Sequence, residues 1–135
     1  MESMKAAVNA YQTVQVDASL RGATPHELIA KLLSKAIEST LTAKQFMKDG
    51  NTAAKGERIK IAIAIITDGL LSSLNMEEGG DLAIRLKDLY EHMAGCLLKA
   101  HAENDIALLD EVVSLLGEIK SGWDGIKDQV TASSS

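Results

Sequence analysis

A chain of 135 residues with 46% hydrophobic residues can bury one core, and its net charge of −5 disfavours nucleic acid and anionic membrane surfaces as partners. Aromatics are only 3% of the chain, so the core must be aliphatic, and a single Pro among many Leu, Ala, Lys and Glu favours helix over strand. One cysteine, Cys96, permits no internal disulfide; residues 1–20 lack a secretion-signal pattern and no apolar run reaches transmembrane length, so a soluble cytoplasmic protein is expected.

Residues 1–23 stand apart from the rest of the chain. "AAVNAYQTVQV" is amphipathic but ambiguous in period, since Val8, Tyr11 and Val14 step by three while Val14 and Val16 step by two. It is too short to be a stable helix alone. The segment either completes the core, or covers an apolar groove and moves aside for a ligand.

The first helix opens at "ATPHELI", with Thr24 as N-cap, Pro25 at the first helical position and Glu27 three residues on from the cap. Leu28, Ile29, Leu32, Leu33, Ala36, Ile37, Leu41 and Met47 recur at steps of three and four until Gly50. The second begins near Thr52 and closes around "LLSSLNMEEGG", where Asn75, Gly79 and Gly80 are breakers. The third runs from about Asp81 with a stripe of Leu82, Leu86, Leu89, Met93, Leu97 and Ala100. It ends where Asn104 or Asp105 can cap the next helix. The fourth carries Leu109, Val112, Leu116, Ile119, Trp123 and Ile126, and residues 128–135 form a polar tail expected to be disordered.

Helices of about 20–24 residues joined by short connections lie antiparallel as neighbours. The expected fold is all-α: an up-down-up-down four-helix bundle over residues 24–127, with the N-terminal segment packing on it.

"IKIAIAII", residues 59–66, alternates as a strand would, yet nothing nearby could pair with it. On a helical wheel Ile59, Ile63, Ile66, Leu70 and Leu74 make one core stripe, while Ile61, Ile65 and Leu71 spread around from it. Ala62 and Ala64 leave little polar face. Such a helix is buried on more than one side. The fourth helix shows the same surplus at Ile106, Leu108, Val113 and Leu115. A bundle covers one side of each helix, so the excess needs the N-terminal segment, a second copy or another protein over it, unless it is ordinary surface scatter.

Motifs for chemistry are lacking. No Glu has a His three residues later, as a di-iron bundle needs. His92 and Cys96 are four apart on one helix, but two ligands make a poor metal site and His101 is badly phased to join them. A phosphotransfer His would want a basic neighbourhood that His92 lacks. "EEGGD" is acidic, which is wrong for phosphate. No nucleophile, base and orienting group share a motif, so neither an enzyme nor a bound cofactor or metal is expected.

"ATPHELIAKLL", "KGERI", "IAIITDGLLSSLNMEEGGDLA", "LYEHM", "LLKAH" and "EVVSLLGEIKSGW", with the upstream Tyr11–Gln12 pair, resemble in order the flagellin export chaperones, the FliS family. The resemblance runs from about Tyr11 to Trp123. It departs at Ser34–Lys35, at His92, and at Ile61 and Val113, where polar residues are often seen in the family. It implies a cytoplasmic helical chaperone whose partners are the C-terminal segment of flagellin and a component of the flagellar export gate. The ligand would wrap around the bundle in apolar grooves, with Tyr11 at a ligand-associated position. The expected client contacts are Val8, Tyr11, Val14, Ile61, Ile65, Ile106 and Val113, on a protein that is a monomer or a weak homodimer. A self-associating structural bundle, or a histidine phosphotransfer bundle, is the alternative.

Overall fold

The computed structural model describes residues 24–134, with side chains described through Gly125. Helix α1 spans Pro25–Lys48, α2 spans Thr52–Ala64 and continues as a π-helical segment Ile65–Leu71, α3 spans Met76–Glu103 and α4 spans Ile106–Ser134. No strand occurs among the described residues. The backbone of α4 runs on through most of the stretch expected as a polar tail. Among the described residues no helix is long and apolar enough to cross a membrane.

Each helix starts where a side chain satisfies an orphan backbone N–H. Thr24 accepts from Glu27 N at 3.1 Å, Asn51 from Ala54 N at 3.2 Å and Asn75 from Glu78 N at 3.0 Å. The two residues considered for the last boundary divide the work. Asn104 takes the left-handed conformation (φ 53°) that stops α3, and Asp105 accepts from Ala107 N at 3.0 Å to start α4. Gly50 (φ 74°) ends the turn after α1.

The helices close a four-sided bundle: α1 packs on α2 and α4, and α3 packs on the same two. Ile29, Leu33, Ala36 and Ala43 of α1 are fully buried, as are Ala62, Ile66 and Leu70 of the second helix and Leu109, Val112 and Leu116 of α4. In the first stripe Thr40, whose hydroxyl donates to Ala36 O at 2.8 Å, fills the core place that sequence periodicity gives to Leu41; Leu41 is exposed. The α3 stripe is rotated from expectation. Ala83, Tyr90, Met93, Leu97 and Ala100 are fully buried, whereas Leu82 and Leu89 are only half-buried.

Two irregularities arise from glycines and hydroxyls. The third helix begins at Met76 rather than Asp81, because Asn75 caps a first turn before Gly80 breaks it (φ 54°, ψ −133°), a backbone shape open to glycine alone. In the π-helical segment Ser72 N reaches back five residues to Thr67 O. Hydroxyls then serve carbonyls four residues back: Thr67 donates to Ile63 O at 2.9 Å, Ser73 to Gly69 O at 2.6 Å, and Ser72 to Asp68 O. Gly69 lets the segment approach α1, since a Cβ there would sit 3.3 Å from Leu32 Cδ1.

Candidate functional site

The alternating octet is helical, and its isoleucines point to both flanks of α2. Ile59 and Ile66 are buried, Ile63 and Ile65 half-buried, and Ile61 is 38% exposed. Ile61 and Ile65 each stand two residues from Ile63, so about 160° round the helix from it. Ile63 lies on the flank facing α3. Ile61 and Ile65 therefore lie on the flank towards α1.

A parallel argument places Ile106 and Val113, both half-buried. Asp110 pairs with Lys44 of α1 at 2.6 Å, whereas the neighbouring Glu111 reaches Cys96 of α3 at 3.1 Å. Ile106 and Val113 stand four residues before and three after Asp110, and so share its α1 flank. The four expected contacts within the described residues thus form two strips, one on each side of α1. Between them α1 turns a polar ridge outward: Lys31, Ser34, Lys35 and Glu38 are exposed. The helices α2 and α4 are diagonal in the bundle, so no single groove holds all four. Val8, Tyr11 and Val14 lie outside the described residues.

A groove of about 460 Å³ opens on the opposite side, between α2 and α3, lined by Ile59 and Ile63, by Leu98 and by His101. Its hollow exists because Ala53 and Gly56 supply little side-chain volume; a Cβ on Gly56 would stand 3.2 Å from His101 Cε1. Leu98 is 61% exposed, the most of the large apolar side chains among the described residues. Glu57 and Lys60 give the rim one charge of each sign. A shallower groove of about 420 Å³ between α1 and α4 carries Ile37 and exposed Leu41. Sequence periodicity passes over Leu98, although the signal is present. Leu97 fills the core stripe, and an adjacent leucine points 100° away from it, the same surplus that singles out Ile61.

Lys55 anchors one end of the α2–α3 groove. It is 2% exposed, and its ammonium donates to His101 O at 3.1 Å and to Asn104 Oδ1 at 2.5 Å. At the other end of the molecule His26 and Trp123 clasp α1 to α4. His26 Nε2–H donates to Trp123 O at 2.8 Å, Trp123 Nε1–H donates to His26 O at 3.0 Å, and the rings stack 4.5 Å apart at 6°. Sequence periodicity makes His26 only a first-turn residue.

The pair His92 and Cys96 gains a third member from α4. Glu111 Oε2 lies 2.8 Å from His92 Nε2 and 3.1 Å from Cys96 Sγ, and the last two atoms are 3.4 Å apart. Burial, helped by the hydrogen bond to Glu111 and the nearness of its charge, pushes the Cys96 thiol up to about 11. Hydrogen bonds from Cys96 and then His92 hold the Glu111 carboxyl below its usual value. A folded-state thiol that keeps its proton longer than the unfolded one stabilises the fold below the ordinary thiol range; that contribution is lost as pH climbs towards 11. Alkylation of Cys96 by iodoacetamide at pH 8 should accordingly run at least about tenfold slower in the native protein than in urea, measured by mass spectrometry.

The family model for the flagellar protein FliS matches residues 7–130 of the chain. The flagellar secretion chaperone FliSB of Pseudomonas aeruginosa is 44% identical over 126 residues, which cover 93% of this chain and 98% of that protein. The flagellar secretion chaperone FliS of Vibrio cholerae is 42% identical over 91% of this chain and 90% of its own, and that of Salmonella typhimurium 36% over 92% of each.

Proposed function

Because the chain belongs to the flagellar protein FliS family, a family of secretion chaperones rather than enzymes, we propose that it escorts flagellin in the cytoplasm. In this reading it binds the disordered C-terminal segment of flagellin in apolar grooves, prevents early polymerisation and aids delivery to the export gate. The observation that carries the reading is Leu98, exposed beside a groove whose walls are Ile59 and Ile63. A segment crossing this groove and the strips beside α1 must pass around the bundle, meeting aliphatic surface on several sides. Ordering it costs about 2–5 kcal/mol or more. Burial at about 25 cal/mol/Å² offsets that over a few hundred Å². Non-directional contacts of this kind hold a chain without fixing one sequence, which suits transient custody.

The test is titration of a flagellin C-terminal peptide into the full-length protein, monitored calorimetrically. Leu98→Asp and Ile61→Asp each introduce a charge where an aliphatic group is to be covered, and each should weaken binding at least about tenfold, because the ligand would then bury an unpaired carboxylate. Because both sites are partly exposed, helical circular dichroism and the melting midpoint should stay near the parent's. Tyr11→Ala and Val113→Asp extend the series to the other proposed contacts. Unchanged affinity in all four variants would overturn the assignment of these surfaces, and absence of binding by the parent would overturn the function.

A further inference from the structure

The trio at the α3–α4 seam has the makings of a transition-metal site. Three ligand types preferred by zinc, an imidazole, a thiol sulfur and a carboxylate, converge from two helices with their donor atoms all within 4.8 Å of one another. His92 and Cys96 share a face of α3 by their four-residue spacing, and Glu111 is presented by α4 across the seam.

The geometry points to a mononuclear Zn²⁺ site formed by His92 Nε2, Cys96 Sγ and a Glu111 carboxylate oxygen, with water in a fourth position. The donor atoms form a triangle with edges of 2.8, 3.1 and 3.4 Å. Tetrahedral zinc, with bonds of about 2.0–2.3 Å, holds such ligands roughly 3.4–3.6 Å apart. Each edge therefore needs to open by no more than about 0.6 Å, within the reach of side-chain torsions and without moving a helix. The His92 and Glu111 side chains are 55% and 47% exposed, so an ion has a way in from solvent and room for its water. Cys96, at 7% exposure, supplies a fixed buried anchor beneath them.

Three strong hydrogen-bonding groups at one seam could instead be a latch that needs no ion, and the two cases differ in what the thiol does. On coordination the S–H bond breaks, its proton passes to solvent and the sulfur pair goes to the metal. The His92 ring gives up its Nε2 proton and carries one on Nδ1, so that it binds the ion as the neutral imidazole. The ion replaces two hydrogen bonds to one carboxylate oxygen by three bonds across the seam, tying α3 to α4 on the face where neither groove opens.

Cobalt(II) added to the full-length, reduced protein reads out the ligand set directly. One equivalent should produce intense visible bands of tetrahedral cobalt and a thiolate-to-metal charge-transfer band, both bleached by one equivalent of Zn²⁺. The charge-transfer band should vanish in Cys96→Ser. Glu111→Gln and His92→Gln, at half-exposed side chains that leave the core intact, should each weaken Zn²⁺ binding at least about tenfold in competition with a chromophoric chelator. Zn²⁺ should also raise the melting midpoint of the parent and not that of Glu111→Gln. A parent protein with no charge-transfer band, a band that persists in Cys96→Ser, or equal zinc affinity in Glu111→Gln would overturn the site and leave the trio as a hydrogen-bonded latch.

Discussion

Replacing Trp123 by Ala should destabilise the fold by about 3–5 kcal/mol, the cost of emptying a buried indole site. The reason for placing the effect at the upper end is connectivity. Trp123 is 6% exposed, stacks on His26, and exchanges two side-chain-to-backbone hydrogen bonds with it across 97 residues of sequence. Both bonds tie the first turn of α1 to the middle of α4, a contact no local helix propensity could restore. Truncation also exposes the His26 ring and removes the indole bond to the His26 carbonyl. Trp123→Phe separates the parts: it keeps an aromatic face for the stack and loses the N–H, so it should cost only about 0.5–1.5 kcal/mol from the missing bond. Urea unfolding followed by circular dichroism measures both, since this is the chain's one tryptophan and its fluorescence disappears with it. Equal losses in the two variants would place the stabilisation in the hydrogen bond and not in packing.

The helices are legible in the sequence, and their partnerships are not. Thr24 announces a helix start because the cap is a local event, a side chain meeting a backbone N–H three residues on, whereas Asn75 reads as a breaker beside Gly79 and Gly80 and its cap of the third helix is hidden. The surplus on α2 is equally legible, because a single helical wheel shows that Ile61, Ile63 and Ile65 cannot share one face. What a wheel cannot give is the rotation and axial offset of one helix against another. His26 on Trp123, Lys55 on Asn104 and Cys96 on Glu111 all depend on that offset, and each joins residues that periodicity treats singly or in another pair. The same ignorance of rotation gives α3 a stripe through Leu82 and Leu89, when Ala83 and Tyr90 are the buried pair. The π-helical segment is hidden for a related reason. Its hydroxyl support from Thr67, Ser72 and Ser73 reads as ordinary polar residues until the backbone slips by one position.

The arrangement of apolar surface depends on those rotations. Had Ile61 and Ile106 faced one another across a seam, the bundle would offer a single cleft. Instead the aliphatic surplus of α2 is split between the α3 flank, where it walls a groove with Leu98, and the α1 flank, where it matches a strip on α4. Distributed surface of this kind gives a long extended ligand several weak attachments, so local release at one of them need not cost the whole interaction.

Lys55→Ala should cost about 3–5 kcal/mol, and Lys55→Met about 1.5–3 kcal/mol, because the two variants remove different parts of one buried side chain. Almost none of Lys55 reaches solvent, and its ammonium binds the His101 carbonyl and the Asn104 side chain at the C-terminal end of α3. Helix C-termini carry partial negative charge from their unpaired carbonyls, so a cation there is favourable in itself. Asn104 adds a second dependence, since its left-handed backbone is held by the turn that the ammonium braces. Methionine keeps the length of the stem and its packing but leaves the carbonyl and the amide oxygen without their donor. Alanine adds a void beneath Gly56 and His101. Urea unfolding of the two variants gives the difference directly, and about 0.5 M salt should scarcely change it, because a buried pair is little screened. Since the same corner carries His101 into the α2–α3 groove, Lys55→Met should also weaken flagellin-peptide binding, at a temperature where the variant is still fully folded. If Lys55→Met proved as stable as the parent, the ammonium would contribute no net stabilisation, and the groove's end would owe its position to packing alone.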